Sequence, residues 1–344
     1  MTSPIGPATR SEFPTPSYLD KVICEKVAQF LVDARARTLS EGKDLLQGLS
    51  SMRETWVAEC GGKEITLRTE DGDCIDGLHF EGTLNKAIIY LHGNGCFYET
   101  SAQRPLSFRE ALKQTSDEGI DSYPHLIVFN PRGTAESKGI THPDNVARDI
   151  LAVFEHLVFQ HAIDPNGIVI MGHSMGAFFG AFGAELVQQR FPDNAINYLG
   201  DRGFIDIKSR ADLKIQSGEY SRVARVIFSA VIHSLITRSK WDRNSVVALE
   251  SLKGRVCIIY HKGDLIIPYD TSTHLAITRA HRTRSYCCLS LQEENMKLKI
   301  NPSHAHMREF NEEENKKVIA ELKKMMTLPL TAEEELLSLD LLEP

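Results

Sequence analysis

The sequence predicts an α/β protein: a mostly parallel central sheet with helices on both faces and a small helical cap. Short apolar runs recur along the chain at Ala87-Ile88-Ile89-Tyr90-Leu91, Leu126-Ile127-Val128-Phe129, Gly167-Ile168-Val169-Ile170-Met171 and Val256-Cys257-Ile258-Ile259-Tyr260. Each is continuously apolar rather than alternating, as expected of a strand buried on both faces. Between them lie segments of helical length and spacing, roughly 143–161, 176–190 and 311–326.

Taken in order, residues 1–16 carry four prolines and few apolar anchors, which predicts a flexible lead-in. Residues 17–52 read as an N-terminal helical extension. Ser17 stands three residues before Asp20, a helix-start pattern, and Leu19, Val22, Ile23, Val27, Phe30, Leu31 and Ala34 follow at helical spacing. The main domain is expected over 53–326. It opens with short runs at Trp56-Val57-Ala58, Ile65-Thr66-Leu67 and Gly77-Leu78-His79-Phe80, divided by Cys60-Gly61-Gly62 and Asp71-Gly72-Asp73. Runs and turns of that length predict an antiparallel meander. Further strands are expected at 195–199 and 286–291. The intervening 203–250 reads largely as helix, with Val223, Val226, Ile227, Ala230, Val231 and Ile236 on one face. It is either a cap over a site or plain packing. Residues 327–344 form an acidic, leucine-rich tail.

The 344 residues include 42% apolar and 25% charged side chains, ordinary for a globular protein. The net charge of −7 argues against a general nucleic-acid binder, which needs a basic surface. Seven cysteines, odd in number and without a C-x-x-C pair, predict a reducing, cytoplasmic setting and no disulfide framework. The N-terminus has no apolar signal core. The longest apolar-rich stretch, 223–236, contains Arg225 and His233 and is too short to span a bilayer. A soluble chain with no integral membrane segment is therefore expected.

Chemistry concentrates at Gly172-His173-Ser174-Met175-Gly176, a G-x-S-x-G pentapeptide placed between a buried-type strand and a helix. A serine hydroxyl is a poor nucleophile until it is exposed on a tight turn beside a base, and flanking glycines allow such a turn. Ser174 is thus the candidate nucleophile. The competing reading, a glycine-rich turn with an idle serine, ignores that strand–turn–helix context. His173 reads as a packed neighbour rather than the base. Acyl transfer also needs two donors aimed at the developing oxyanion. The amide of Met175, first in its helix, supplies one. His92-Gly93-Asn94-Gly95, directly after the strand 87–91, supplies the other through Asn94.

The acid must follow the nucleophile and close a later strand. Asp264, in Tyr260-His261-Lys262-Gly263-Asp264, meets both demands; Asp270 and Asp201 are its rivals. The base comes last. Asn301-Pro302-Ser303-His304-Ala305-His306 precedes the helix 311–326, and offers His304 as first choice with His306 as the alternative. No H-E-x-x-H, C-x-x-C or P-loop pattern is present, so no metal, nucleotide or other cofactor is expected.

Together these motifs resemble the α/β-hydrolase superfamily over residues 53–326. Asn130-Pro131-Arg132-Gly133-Thr134-Ala135-Glu136-Ser137 looks like the family's structural turn after its fourth core strand. Lys262-Gly263-Asp264-Leu265-Ile266-Ile267-Pro268 is similar to its acid loop. The resemblance implies Ser174, Asp264 and His304 as triad, the Asn94 and Met175 amides as oxyanion hole, and no cofactor. One departure is local: Ser303 and Ala305 flank His304 where this group often has Gly and Asn. The N-terminal helix and the turns also look loosely like hydrolase-like effector proteins of intracellular bacteria, which widens the expected location to a secreted effector acting in a host cell.

The expected activity is cleavage of a carboxylic ester, thioester or amide through an acyl-enzyme, on a small-molecule or lipid-like acyl substrate. The alternatives are acyl transfer by the same residues and a non-catalytic interaction protein. For the latter, the N-terminal helix or the acidic tail would dock a protein partner, since fold alone does not establish activity. Phe97, Tyr98 and Trp241 read as an apolar acyl pocket or as core.

Overall fold

A computed structural model describes residues 18–216, 218–279, 286–292 and 304–327. The lead-in 1–16, the tail from 328 onward and Asn301-Pro302-Ser303 lie outside the described residues. The strands are β1 Lys63–Arg68, β2 Cys74–Phe80, β3 Ala87–Leu91, β4 His125–Phe129, β5 Ile168–His173, β6 Asn197–Asp201, β7 Val256–Tyr260 and β8 Cys287–Ser290. They form one sheet in the order β1-β2-β4-β3-β5-β6-β7-β8. β2 pairs antiparallel with β1 and β4, and every pairing from β4 to β8 is parallel. The mostly parallel sheet expected from the apolar runs is therefore present.

The main helices are α1 Tyr18–Leu31, α2 Asp33–Cys60, α3 Gln103–Ala111, α4 Pro143–His161, α5 Met175–Arg190, α6 Ile207–Gln216, α7 Arg222–Arg238, α8 Ser245–Glu250, α9 Thr273–Arg279 and α10 Glu312–Thr327. Successive side chains of a strand point to opposite faces, and two cores result. Ala87, Ile89, Leu91, Ile168 and Ile170 face a core shared with Ile150 and Phe154 of α4 and Phe178 and Phe182 of α5. Ile88, Tyr90, Val169 and Met171 face the other, built with Phe108 of α3 and Val318 and Leu322 of α10. Burial on both faces explains why these strands carry no polar alternation.

At the N-terminus one expectation is corrected. Trp56-Val57-Ala58 is not a strand: α2 continues to Cys60 and ends where Gly61 adopts φ 69°. A three-residue apolar run carries too little periodicity to separate strand from helix, and tertiary contacts decide. Trp56 Nε1 donates to the Glu99 carbonyl at 2.8 Å. Arg53 Nη2 bonds Glu99 at 3.0 Å, and Arg53 Nη1 bonds Glu136 at 2.8 Å. The meander thus begins at β1. Within α2, Gly42 leaves helical geometry at φ 55°, ψ −121°.

Residues 203–250 contain α6, α7 and α8. α7 buries only Ile236 fully and exposes Val223, Val226, Ile227, Phe228 and Val231. Phe97, Tyr98 and Trp241 are core residues, each at most 1% exposed. The cysteines are all free thiols. Among the described residues no helix is long and apolar enough to cross a membrane.

Candidate active site

The turn between β5 and α5 places Ser174 in a conformation that side chains rarely adopt, φ 55° and ψ −117°. Such a residue stores of order 1–3 kcal/mol and persists only where its surroundings enforce it. They do so here. The Ser174 amide donates to the Asp201 carbonyl at 2.8 Å, and its carbonyl accepts from Ala177 and Phe178 at 3.0 and 3.1 Å. A Cβ on Gly172 would lie 2.3 Å from the Gly176 carbonyl oxygen, and one on Gly176 would lie 2.3 Å from the Leu91 carbonyl oxygen. Both flanking glycines are therefore steric requirements of the turn. Ser174 itself is 5% exposed.

The loop after β3 leans on this turn. A Cβ on Gly93 would sit 3.0 Å from the His173 ring and 3.5 Å from Ser174 Cβ. Met175 is the first residue of α5, so its amide has no acceptor within the helix. The side chain of Asn94 is turned elsewhere. Its Oδ1 accepts from the Asp33 amide at 2.7 Å, and its Nδ2 donates to the Leu31 carbonyl and to Asp33 Oδ2. That pins the α1–α2 junction to the loop. Val32 and Ala34 of the junction join His92, Gly93, Asn94, Met175 and Phe179 around a recess of only about 10 Å³, room for roughly one water.

Asp264 follows β7 and is buried. Its Oδ1 accepts from the Ile266 and Ile267 amides at 2.8 and 2.9 Å. Its Oδ2 lies 2.6 Å from Nδ1 of His306, which sits in the single turn His304–Met307. The structure thus brings Asp264 to His306; the His304 side chain lies outside the described residues. Of the rival acids, Asp270 is exposed on a short turn. Asp201 holds a different histidine: His173 Nδ1 is 3.0 Å from its Oδ2. The His173 ring in turn packs on the His306 ring with centroids 5.0 Å apart.

Asp201, which the sequence offers only as a rival acid, is a hub. Arg202 grips both of its oxygens at 2.9 Å, and Arg104 reaches it at 2.9 Å. Burial pushes its carboxyl upward, but Arg202 and Arg104 outweigh that and hold it well below the usual range. Burial drives His173 down to about 3 despite its bond to Asp201, so this ring is neutral near pH 7. Arg202 also donates from Nη1 to the Ala305 and Arg308 carbonyls at 3.0 and 3.1 Å, clamping the turn that carries His306. Arg132, in the turn after β4, is fully buried and bonds Asp149 and Asp71 at 2.7 Å; it ties that turn to α4 and to the β1–β2 loop.

An α/β-hydrolase from Vibrio vulnificus superposes with a TM-score of 0.51, covering 72% of this chain and 77% of its own at 22% identity. The Pyrococcus furiosus esterase Pf2001 gives 0.52 over 77% and 91% at 16% identity. In sequence, the phosphatidylserine lipase ABHD16A of Rattus norvegicus is 25% identical over 229 residues, 65% of this chain and 35% of the lipase. The multifunctional-autoprocessing repeats-in-toxin of Vibrio cholerae is 30% identical over 136 residues, 37% of this chain but 3% of the toxin. The chain therefore matches only a minor part of either relative. No protein-family model matches. The fold is that of the α/β-hydrolases.

Proposed function

We propose that the chain is a serine hydrolase that cleaves a carboxylic ester, or a related thioester or amide, with Ser174 as nucleophile, His306 as base and Asp264 as acid. The observation that carries this reading is the Asp264–His306 hydrogen bond beside the strained serine turn. With Nδ1–H committed to Asp264, the other ring nitrogen of His306 is left as the basic atom. It takes the Ser174 hydroxyl proton as Oγ attacks the substrate carbonyl, and returns it to the departing alcohol. The Asn94 and Met175 amides receive the oxyanion. Water, activated by the same imidazole, then releases the acid and frees the serine.

The phosphatidylserine lipase likeness and the exposed apolar face of α7 favour a lipid-like acyl substrate. The test is labelling of the full chain with a fluorophosphonate probe, followed by mass-spectrometric mapping. Label on Ser174, absent in Ser174→Ala, is expected. No label on Ser174, with ester turnover unchanged in Ser174→Ala, overturns the assignment.

A further inference from the structure

At the opposite end of the sheet from Ser174, four imidazoles converge. His79 lies in β2, His125 opens β4, and His156 and His161 lie in the last turns of α4. His79 and His125 are buried, and His156 and His161 are half-buried. Nε2 of His79 is 2.9 Å from Nδ1 of His125, and the His79 ring is 4.5 Å from that of His161 between centroids. One ring nitrogen from each of His79, His156 and His161 falls within 4.8 Å of the other two.

The spacing within that group is informative. Nε2 of His156 and Nε2 of His161 are 3.3 Å apart. Two nitrogens on one tetrahedral zinc ion, each about 2.0–2.1 Å from the metal, stand about 3.3 Å apart. Glu81, His125 and His161 line an open cleft of about 370 Å³ beside the cluster, which gives an ion an entry path.

We propose that His79, His156 and His161 form a three-histidine site for a divalent transition-metal ion of the zinc class. His125 is its supporting neighbour. By accepting from His79 Nε2–H it leaves Nδ1 of His79 as the ligand atom and fixes that ring's orientation, the usual role of a partner behind a metal-bound histidine. The fourth position opens to the cleft. The site ties β2 to the C-terminal end of α4, far from the serine, so its contribution is to stability.

The experiment is titration of zinc chloride into the chelator-stripped full chain against a chromophoric competitor, with cobalt(II) as a spectroscopic substitute. One equivalent bound at micromolar or tighter affinity is expected, with tetrahedral cobalt bands and a thermal midpoint that rises with zinc. His156→Gln/His161→Gln changes only half-buried rings; it should weaken binding at least about 100-fold and abolish the thermal shift. Should that variant misfold by circular dichroism, His161→Gln alone serves, with the same direction of change. Zinc held no more tightly than millimolar, or equal affinity in wild type and the folded variant, overturns the proposal.

Discussion

His306 and Asp264 are 42 residues apart in the chain, and their side chains meet at 2.6 Å between Nδ1 and Oδ2. The carboxylate is fixed on its other side by two backbone amides, so it cannot rotate away without stranding three donors. This rigid pair fixes the orientation of the imidazole, with Nδ1 held against the carboxylate.

Asp264→Asn therefore keeps the shape but presents an amide where a carboxylate accepted the Nδ1 proton. Ester turnover should fall about 10³–10⁴-fold with little change in KM. His306→Ala should fall at least as far, and His304→Ala should retain most activity. Steady-state kinetics on a chromogenic ester checks all three. Activity lost in His304→Ala and kept in His306→Ala would reverse the assignment of the base.

Much of this site was legible because its signals are local. Ser174 is announced by a strand, a glycine-flanked serine and a helix in succession, and Asp264 by a strand end and its turn. The base was not decidable in the same way. His304 and His306 share one turn, and which ring meets Asp264 depends on how that turn is gripped. Arg202 supplies the grip from about a hundred residues away, and nothing near His306 in sequence shows it. The His173–Asp201 pair arises because the two residues are register partners on adjacent parallel strands, a relationship visible only once the strand order is known. Trp56-Val57-Ala58 failed for the opposite reason: three apolar residues fit both periodicities, and contacts to Glu99 chose the helix. The four-histidine cluster is drawn from two strands and a helix, so its members show no metal-ligand spacing along the chain.

A second clamp on the His306 turn gives a pH prediction. Arg308 bonds both oxygens of buried Glu314 at 2.6 and 2.7 Å, and the Gln292 and Asn311 amides add donors at 2.7 and 2.9 Å. Burial raises the Glu314 carboxyl, but Arg308 and the amides outweigh it and hold it at about 2, against an ordinary value of 4.5. Between these values the unfolded chain binds the proton and the folded chain does not, so stability rises with pH across that window. The contribution is fully present above pH 4.5 and is lost as pH falls toward 2. Glu314→Gln should cost about 3–5 kcal/mol near pH 7, because it leaves the Arg308 guanidinium without its carboxylate. Its deficit relative to wild type should shrink as the wild-type carboxyl protonates. Urea denaturation of both proteins across pH 3–7 is the measurement, and a deficit that stays constant with pH would contradict the linkage.

The strain at Ser174 yields a prediction that separates a working site from a decayed one. At φ 55°, ψ −117° the residue pays of order 1–3 kcal/mol for a geometry that glycine adopts freely. Ser174→Gly removes that penalty and returns roughly 0.5–1 kcal/mol of it through the greater freedom of the unfolded chain. A net gain of about 1 kcal/mol is expected, seen as a rise in thermal midpoint, together with complete loss of ester turnover and probe labelling. Ser174→Ala keeps the Cβ and hence the strain, so it should lose activity without the same rise. A protein that kept the fold merely as a scaffold would have no reason to maintain a strained serine there. Equal thermal midpoints for the glycine and alanine variants would show that the turn costs nothing to hold, and would remove strain from the case for catalysis.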